Sequence, residues 1–475
     1  MTRRDLALAL VALLVIAVSV WRLEDTGTVT IAPISIGTLP ARIYRPPAPH
    51  HAVVIAHGFA ASQQMLRSLA LGLAQAGYLV VTFDLPGHGR NAEPLPSQTA
   101  PATARLLASV GQAVAYARGL LPGPVAVIGH SMSASVVARY AALSPSVAAT
   151  VAISPVEPIA APRDLLLLLG GLEAPLLPVA LDGAEPGVTY GTFAAATARR
   201  VAVVPWADHI GVLFNAGTLA EVTAWLDQAF AANRPQPVPA SGQGGWVLLL
   251  LAAILLLGRA LARLLPTVAA VPVGAGLGWR GWPAILLPAV MTPAILRALV
   301  PGLLPMPYLA LHFALFGLIC ALTMRRAARP VLCGRMLAAG AAAGLYLVAA
   351  PGLALDRYFA AWLPVGGRWL ETGELFAGAL AYFLVAEWLA RGAERGMTAA
   401  LRLALLASLG SAIALQPGLI TLAVMLPGIL VVFVVCSLAA AWVWRRTGDP
   451  LAGAIASAAG FAWAVGVTFP LLAGL

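Results

Sequence analysis

The pattern of apolar and polar positions divides the 475-residue chain into distinct stretches. Arg3 and Arg4 precede an apolar run, Leu6–Trp21, which ends at Glu24 and Asp25. This pattern makes residues 1–25 an N-terminal transmembrane anchor or signal segment. No small-x-small site closes the run, which favours an uncleaved anchor. Residues 26–233 have short apolar runs, helical stretches and charges of both signs, as a soluble domain does. A Pro/Gly/Gln/Ser-rich linker covers 234–245. From 246 to 475 the apolar stretches are long enough to cross a bilayer. They predict about eight helices, near 247–263, 283–303, 307–324, 332–354, 374–391, 400–416, 418–442 and 451–473. The segment Leu264–Trp279 is apolar but broken by proline and glycine, which predicts a re-entrant or interfacial passage.

Within 26–233 the elements alternate. Thr28–Ile36 and Ala41–Tyr44 read as a starting pair of strands, and Ala52–Ala56 as a short buried strand. Helix Met65–Ala76, strand Tyr78–Phe83 and helix Ala102–Leu120 follow. Next come strand Val125–Ile128 and helix Ala134–Leu143. Ala149–Ile153, Asp164–Leu169 and Arg200–Val204 are further strands, and Leu219–Phe230 is a closing helix. Continuous apolar strands alternating with helices predict an α/β fold, a mostly parallel sheet covered on both faces.

Composition changes the setting. The chain is 60% hydrophobic and 10% charged, with mean hydropathy +0.88. All 29 basic residues are arginine. They do not form a basic stripe on the soluble part, which argues against a nucleic-acid partner; they gather at the ends of apolar runs. Arg3/Arg4, Arg259/Arg263, Arg325/Arg326/Arg329, Arg391/Arg395/Arg402 and Arg445/Arg446 fall on one side if the runs alternate across a membrane. The mixed-charge loop Asp356–Glu374 falls on the other. Arginine clusters stay cytoplasmic, so the N-terminus is expected inside and the soluble domain outside the cytoplasmic membrane. Cys320, Cys333 and Cys436 have no disulfide or metal-type spacing, and no cofactor or metal is expected.

The chemistry centres on Gly129-His130-Ser131-Met132-Ser133, directly after the apolar run Val125–Ile128. This is the G-x-S-x-G pattern with serine for its last glycine: a strand-to-helix turn so sharp that the residues two before and two after the serine must be small. A serine hydroxyl is too weakly acidic to attack a carbonyl unaided, so a histidine must take its proton. His209, in Trp206-Ala207-Asp208-His209, follows the last strand. His57 and His130 belong to motif turns; His50, His51 and His88 read as loop residues, and His312 as a buried polar contact in an apolar helix.

Four motifs in this order resemble the α/β-hydrolase superfamily over about residues 28–232. His57-Gly58-Phe59 is similar to its H-G-x turn, and Asp84-x-x-Gly87-x-Gly89 to its D-x-x-G-x-G loop, with Asn91 where serine is usual. The serine turn is similar to its nucleophile elbow, and Gly170-Gly171-Leu172-Glu173 to its G-x-x-D turn, with glutamate for aspartate. The resemblance implies an α/β-hydrolase domain; the roughly ten residues between Ile153 and Asp164 leave no room for a large cap, and the apolar runs beyond 246 add an all-α polytopic membrane domain. The resemblance also implies Ser131 as nucleophile, His209 as base and Glu173 as acid, with Glu157 as second and Asp182 as third candidate for the acid. Backbone N–H groups of Phe59 and Met132 would form the oxyanion hole. The expected function is a membrane-embedded serine hydrolase of the esterase, lipase or thioesterase type, acting on a small-molecule or lipid-like acyl substrate. The alternatives are an acyltransferase using the same triad, or a transporter or scaffold whose hydrolase-like domain binds without catalysis. Glu387, near Arg391, is the clearest acid within the apolar helices and the main feature on the transport side.

Overall fold

The computed structural model describes residues 2–159, 162–173, 176, 184–234, 243–271, 273, 274, 278, 281–323, 332–391, 393 and 395–473. The chain divides into two compact units. An α/β unit takes in residues 17–250, 354–365 and 470–475; a helical unit takes in 1–16, 251–353 and 366–469.

Helix α1 (Arg3–Glu24) precedes the α/β elements, which begin with β1 (Thr30–Ile36), β2 (Leu39–Arg45), β3 (His51–Ala56), α2 (Arg67–Gln75) and β4 (Tyr78–Phe83). Then come β5 (Leu95–Pro96), α3 (Thr99–Leu120), β6 (Val125–His130), α4 (Met132–Leu143) and β7 (Val147–Ile153). The last are β8 (Leu165–Gly170), β9 (Thr189–Tyr190), β10 (Arg199–Val204) and α5 (Ala216–Ala229). Among the described residues they build one nine-stranded sheet in the order β1-β2-β4-β3-β6-β7-β8-β10-β9. The run β4-β3-β6-β7-β8-β10 is parallel; β1, β2 and β9 join by antiparallel pairing.

Local sequence accounts for these elements. β1 and β2 pair Ile36 with Leu39 across the two-residue turn Gly37-Thr38, where Gly37 has φ +58; a tight hairpin turn of this kind needs positive φ. Pro33 is tolerated because β1 is an edge strand. The strands β3, β4, β6 and β8 are buried along their whole length apart from His51, as continuous apolar runs in a doubly covered sheet must be. Alternate residues serve opposite faces. Val53 and Ile55 pack with Leu69 and Leu73 of α2 and Val222 and Leu226 of α5. Val54 and Ala56 pack with Val110 and Val114 of α3 and Val136 and Val137 of α4. Asn215 caps α5, its side chain accepting from the Gly217 N–H at 2.7 Å.

Several boundaries differ from the sequence expectation. Helix α3 starts at Thr99, not Ala102, because Pro101 sits in the first turn, where no intrahelical N–H partner is needed. Helix α4 starts at Met132, directly after the serine. The stretch expected as Met65–Ala76 opens with a short 3₁₀ turn, Gln63–Leu66, before α2. The short strands β5 and β9 carry no periodic signal in the sequence.

The later helices are α6 (Gln243–Leu261), α7 (Trp282–Leu299), α8 (Pro305–Thr323), α9 (Gly334–Tyr358), α10 (Arg368–Ala390), α11 (Arg395–Leu415), α12 (Ile420–Thr447) and α13 (Pro450–Thr468). Among the described residues eight helices, α1 included, are long and apolar enough to cross a membrane; Ala399–Leu415 in α11 is a shorter apolar helix. In the helical unit, glycines allow close crossings: a Cβ on Gly317 of α8 would meet Tyr382 backbone of α10 at 2.8 Å, and one on Gly378 would meet the Ala310 carbonyl oxygen at 2.1 Å. Phe313, Tyr382, Phe383, Phe433 and Phe461 pack together beside that crossing. Glu387, 1% exposed, is bracketed by Arg391 and Arg402, so it serves an internal ion-pair cluster. His312 is fully buried near Tyr308, their rings 5.7 Å apart. After α13 comes the two-residue strand β11 (Leu472–Ala473), which lies parallel to β5.

Candidate active site

Ser131 occupies the turn between β6 and α4 with φ +54 and ψ −117, a conformation costly for a residue with a side chain. The surroundings enforce it. A Cβ on Gly129 would lie 2.2 Å from the Ser133 carbonyl oxygen, so only glycine lets the chain double back there. The Ser131 N–H donates to the Ile153 carbonyl at 2.8 Å, tying the turn to the end of β7. Ser133, standing where the pattern has glycine, is buried, and its hydroxyl donates to the His57 carbonyl at 2.5 Å.

Three residues from separate strand ends converge. His209 Nε2 lies 2.9 Å from Ser131 Oγ, and His209 Nδ1 lies 2.5 Å from Glu173 Oε1. With Nδ1 donating to the carboxylate, Nε2 is the nitrogen that accepts from the serine hydroxyl. The second carboxylate oxygen of Glu173 accepts from the Ser154 hydroxyl at 2.6 Å and the Gly170 N–H at 2.7 Å. Burial raises the carboxyl pKa of Glu173, but the hydrogen bonds from His209, Ser154 and Gly170 outweigh it and hold the group below its ordinary value. Glu173 is therefore a buried carboxylate, 6% exposed, that stays ionised.

The loops bearing Glu173 and His209 interlock. Gly171 N–H donates to the Val204 carbonyl at 2.7 Å, and Leu172 N–H to the Ala207 carbonyl at 3.0 Å. A Cβ on Gly170 would stand 2.3 Å from the Ala207 carbonyl oxygen, so a glycine at the end of β8 is required for this approach. Asp208 does not face the ring of its neighbour; its carboxylate accepts from the N–H groups of Ile210 and Gly211, at 3.2 and 2.5 Å. His130 braces the same loop from below, Nε2 donating to the His209 carbonyl at 2.8 Å. Burial first, then the neighbouring His209, pushes the His130 pKa down to about 4, so its ring is neutral.

The Phe59 turn lies directly over the serine. A Cβ on Gly58 would be 3.0 Å from both Ser131 Cβ and His130 Nδ1. His57 accepts the Leu85 N–H on Nε2 at 3.1 Å, leaving Nδ1 to donate to the Gly58 carbonyl at 2.8 Å. Met132 is the first residue of α4, where backbone N–H groups have no partner one turn back.

Among the residues singled out from sequence, Ser131, His209 and Glu173 are thus brought together, with the Phe59 and Met132 backbones beside them. Glu157 is not: it is exposed and lies 3.7 Å from Arg139. Asp182 lies outside the described residues. His50 and His51 are remote, packing against Tyr78 and Phe230. Two contributors escaped sequence reasoning: Ser154, which orients the acid, and the bracing bond of His130. The one available signal for Ser154 was its place at the end of a strand next to Pro155.

Residues 47–185 match the family described as serine aminopeptidase, S33. With the strand order, this gives the α/β unit the α/β-hydrolase fold. Among solved structures, TT1662 from Thermus thermophilus is 18% identical, covering 43% of this chain and 99% of its own, with TM-score 0.34. A dienelactone hydrolase from Anabaena variabilis is 18% identical over 43% of this chain and 98% of its own, with TM-score 0.30. A bacterial membrane phospholipase A is 15% identical over 46% and 93%, with TM-score 0.34. No curated protein matches the chain by sequence.

Proposed function

We propose that this chain is a membrane-anchored serine hydrolase that cleaves a carboxylic ester or thioester through an acyl-enzyme. The observation that carries this reading is the unbroken hydrogen-bond chain from Ser131 through His209 to Glu173. In the proposed cycle Ser131 Oγ attacks the acyl carbon as His209 Nε2 takes its proton. The carbonyl oxygen becomes an oxyanion, held by the Phe59 and Met132 N–H groups. His209 then returns the proton to the departing alcohol or thiol, leaving an ester on Ser131. Water enters by the same route, with His209 again as base. Glu173, kept ionised by its three donors, holds the imidazole in the needed tautomer and stabilises its charged form.

The rim favours an apolar acyl group. Leu172 and Ile210, the neighbours of Glu173 and His209, are exposed, and Trp206 in the same loop is 88% exposed. Exposed apolar residues gathered around one site usually contact apolar ligands. A lipid-like substrate suits a domain tethered beside a bilayer.

The membrane setting is supported by chain alternation. Counting α1 and α6–α13 as nine crossings puts residues 25–242, the α9–α10 connection and the C-terminal tail on one side. These are the segments that share the α/β unit. The arginine clusters then fall on the other, cytoplasmic side.

The test is fluorophosphonate labelling of the full chain. The wild-type protein should label covalently, and Ser131→Ala should abolish labelling and ester turnover, a loss of order 10⁶ in kcat. An unlabelled wild-type chain would sink the reading.

A further inference from the structure

The turn that presents the Phe59 N–H rests on the loop 84–96, and two segments remote in sequence hold that loop. The loop itself is well ordered by its own bonds. The Asp84 carboxylate accepts from the Gln63 N–H at 2.8 Å and the Arg90 N–H at 3.0 Å, and Asn91 Nδ2 donates to the Asp84 carbonyl at 3.1 Å. Its link to the site is His57, whose Nε2 accepts the Leu85 N–H, and His88, whose ring meets that of Phe59 edge-on at 5.7 Å.

The first remote segment is the C-terminal tail. The Leu471 N–H donates to the Gly87 carbonyl at 2.8 Å, and the Leu471 carbonyl accepts from the Leu95 N–H at 2.9 Å. One residue's backbone therefore joins both ends of the loop, and β11 then runs beside β5. Gly87 has φ +74, and a Cβ there would lie 2.6 Å from the Leu471 carbonyl oxygen, so this contact depends on glycine. The second segment is the last turn of α9 together with the residues after it. Asp356 Oδ2 meets Arg90 Nη2 at 2.5 Å, Asp356 Oδ1 accepts from the Trp362 N–H at 2.9 Å, and the Ala361 N–H donates to Ser62 Oγ at 3.0 Å.

We infer that Leu471–Ala473 and Asp356 are positioning elements for the oxyanion side of the site, holding loop 84–96 where His57 can orient the Phe59 N–H. The inference rests on the reading of Ser131 as nucleophile. It makes residues 26–233 alone an incomplete hydrolase. The Arg90–Asp356 pair is partly exposed, with side chains 38% and 24% accessible; such pairs add little stability. Its loss should therefore register in the reaction before it registers in the fold.

The experiment uses the purified full-length protein in detergent micelles, with a short-chain p-nitrophenyl ester and a fluorophosphonate probe. Removing one oxyanion donor costs about 10²–10³ in kcat, so misplacing one should cost about 10- to 100-fold. Asp356→Arg and Arg90→Asp are each expected to lower kcat by that amount, with KM changed by less than about twofold and the thermal midpoint unmoved. The double variant restores the ion pair but not the acceptor for the Trp362 N–H, so it should recover kcat in part, and Asp356→Glu should retain it. Deletion of 471–475 should lower kcat in the same way; if that chain does not fold, the reversed pair decides. Wild-type kcat in the single variants, or no recovery in the double variant, would overturn the positioning role. A wild-type chain that neither labels nor turns over would overturn the hydrolase reading instead, and this inference with it.

Discussion

At the scale of single residues, the acid shows what spacing leaves open. Glu173 and Glu157 both follow strand ends, and only the fold decides which strand end meets the histidine. Glu173 lies 2.5 Å from His209 while Glu157 is exposed beside Arg139. Glu173→Gln should lower kcat by about 10³- to 10⁴-fold, because an amide cannot hold the tautomer or stabilise the imidazolium. Glu157→Gln should leave kcat within about twofold. Steady-state ester hydrolysis by the two variants checks this, and equal losses would reject the assignment. Ser131 and the small residues around it, Gly129 and Ser133, were legible because a sharp turn restricts residue size, whereas the bond from His130 to the His209 carbonyl was not, since nothing local in sequence specifies a partner 79 positions away. The burial of His130 has a pH consequence, which that bond only partly offsets. His130 titrates near its ordinary 6.5 when unfolded and at about 4 when folded. Above 6.5 both states are neutral and the group contributes nothing. As pH falls from 6.5 to about 4 the unfolded state takes up a proton that the folded state refuses, so stability declines by about 3 kcal/mol and then levels. Glu173, with its depressed pKa, adds to acid sensitivity at the lower end of that range. Unfolding measured from pH 7 to 4 should show this slope, and His130→Gln should flatten it. An unchanged slope would remove His130 as its source.

At the scale of elements, the central strands were the most legible part, because strands buried on both faces must be continuously apolar. β4 was read with both its bounds, Tyr78–Phe83. Two-residue strands such as β5 and β9 were invisible, since neither is long enough to show a period and each exists only through its partner. The fit between loops was equally hidden. The glycines of Gly170-Gly171 read as a turn signal, yet Gly170 is needed chiefly because the Ala207 carbonyl approaches it from β10's loop. Gly170→Ala places a Cβ 2.3 Å from that oxygen and must drive the β8 turn away from the loop that carries His209. Overpacking of this kind costs about 1–3 kcal/mol, and the displacement should separate Glu173 from His209. The expected result is a folded protein with a lowered melting point and kcat reduced at least about tenfold. Thermal unfolding and turnover measured on the same preparation test it, and full activity with an unchanged melting point would show that the interlock does not hold the acid in place.

At the scale of the whole molecule, composition alone separated the soluble stretch from the apolar one, because membrane-length runs and short sheet strands differ in kind. The reach of residues 354–365 and 470–475 into the α/β unit was not legible, since it depends on contacts such as Leu471 with Gly87 and not on any local pattern. Those contacts bear on the number of crossings between these segments, while the orientation proposed above rests on charge alone. If the apolar helices cross a membrane, a tail that pairs with β5 and a helix end that pairs with Arg90 must lie on the same side of it as the sheet. Nine alternating crossings satisfy that condition, and they bring Arg259/Arg263, Arg391/Arg402 and Arg445/Arg446 to the opposite face together with the N-terminus. Losing any one of the eight crossings α6–α13 would put the tail and the sheet on opposite sides. Reporter fusions distinguish the cases. Fusions after residue 235 and after Leu475 should be active only with a reporter that works outside the cytoplasm, and one after Arg326 only with a reporter that works inside it. A cytoplasmic signal from the first would overturn the orientation, and with it a substrate met outside the cytoplasm. An extracytoplasmic first fusion with a cytoplasmic C-terminus would break the count of nine, and would be incompatible with β11 lying beside β5.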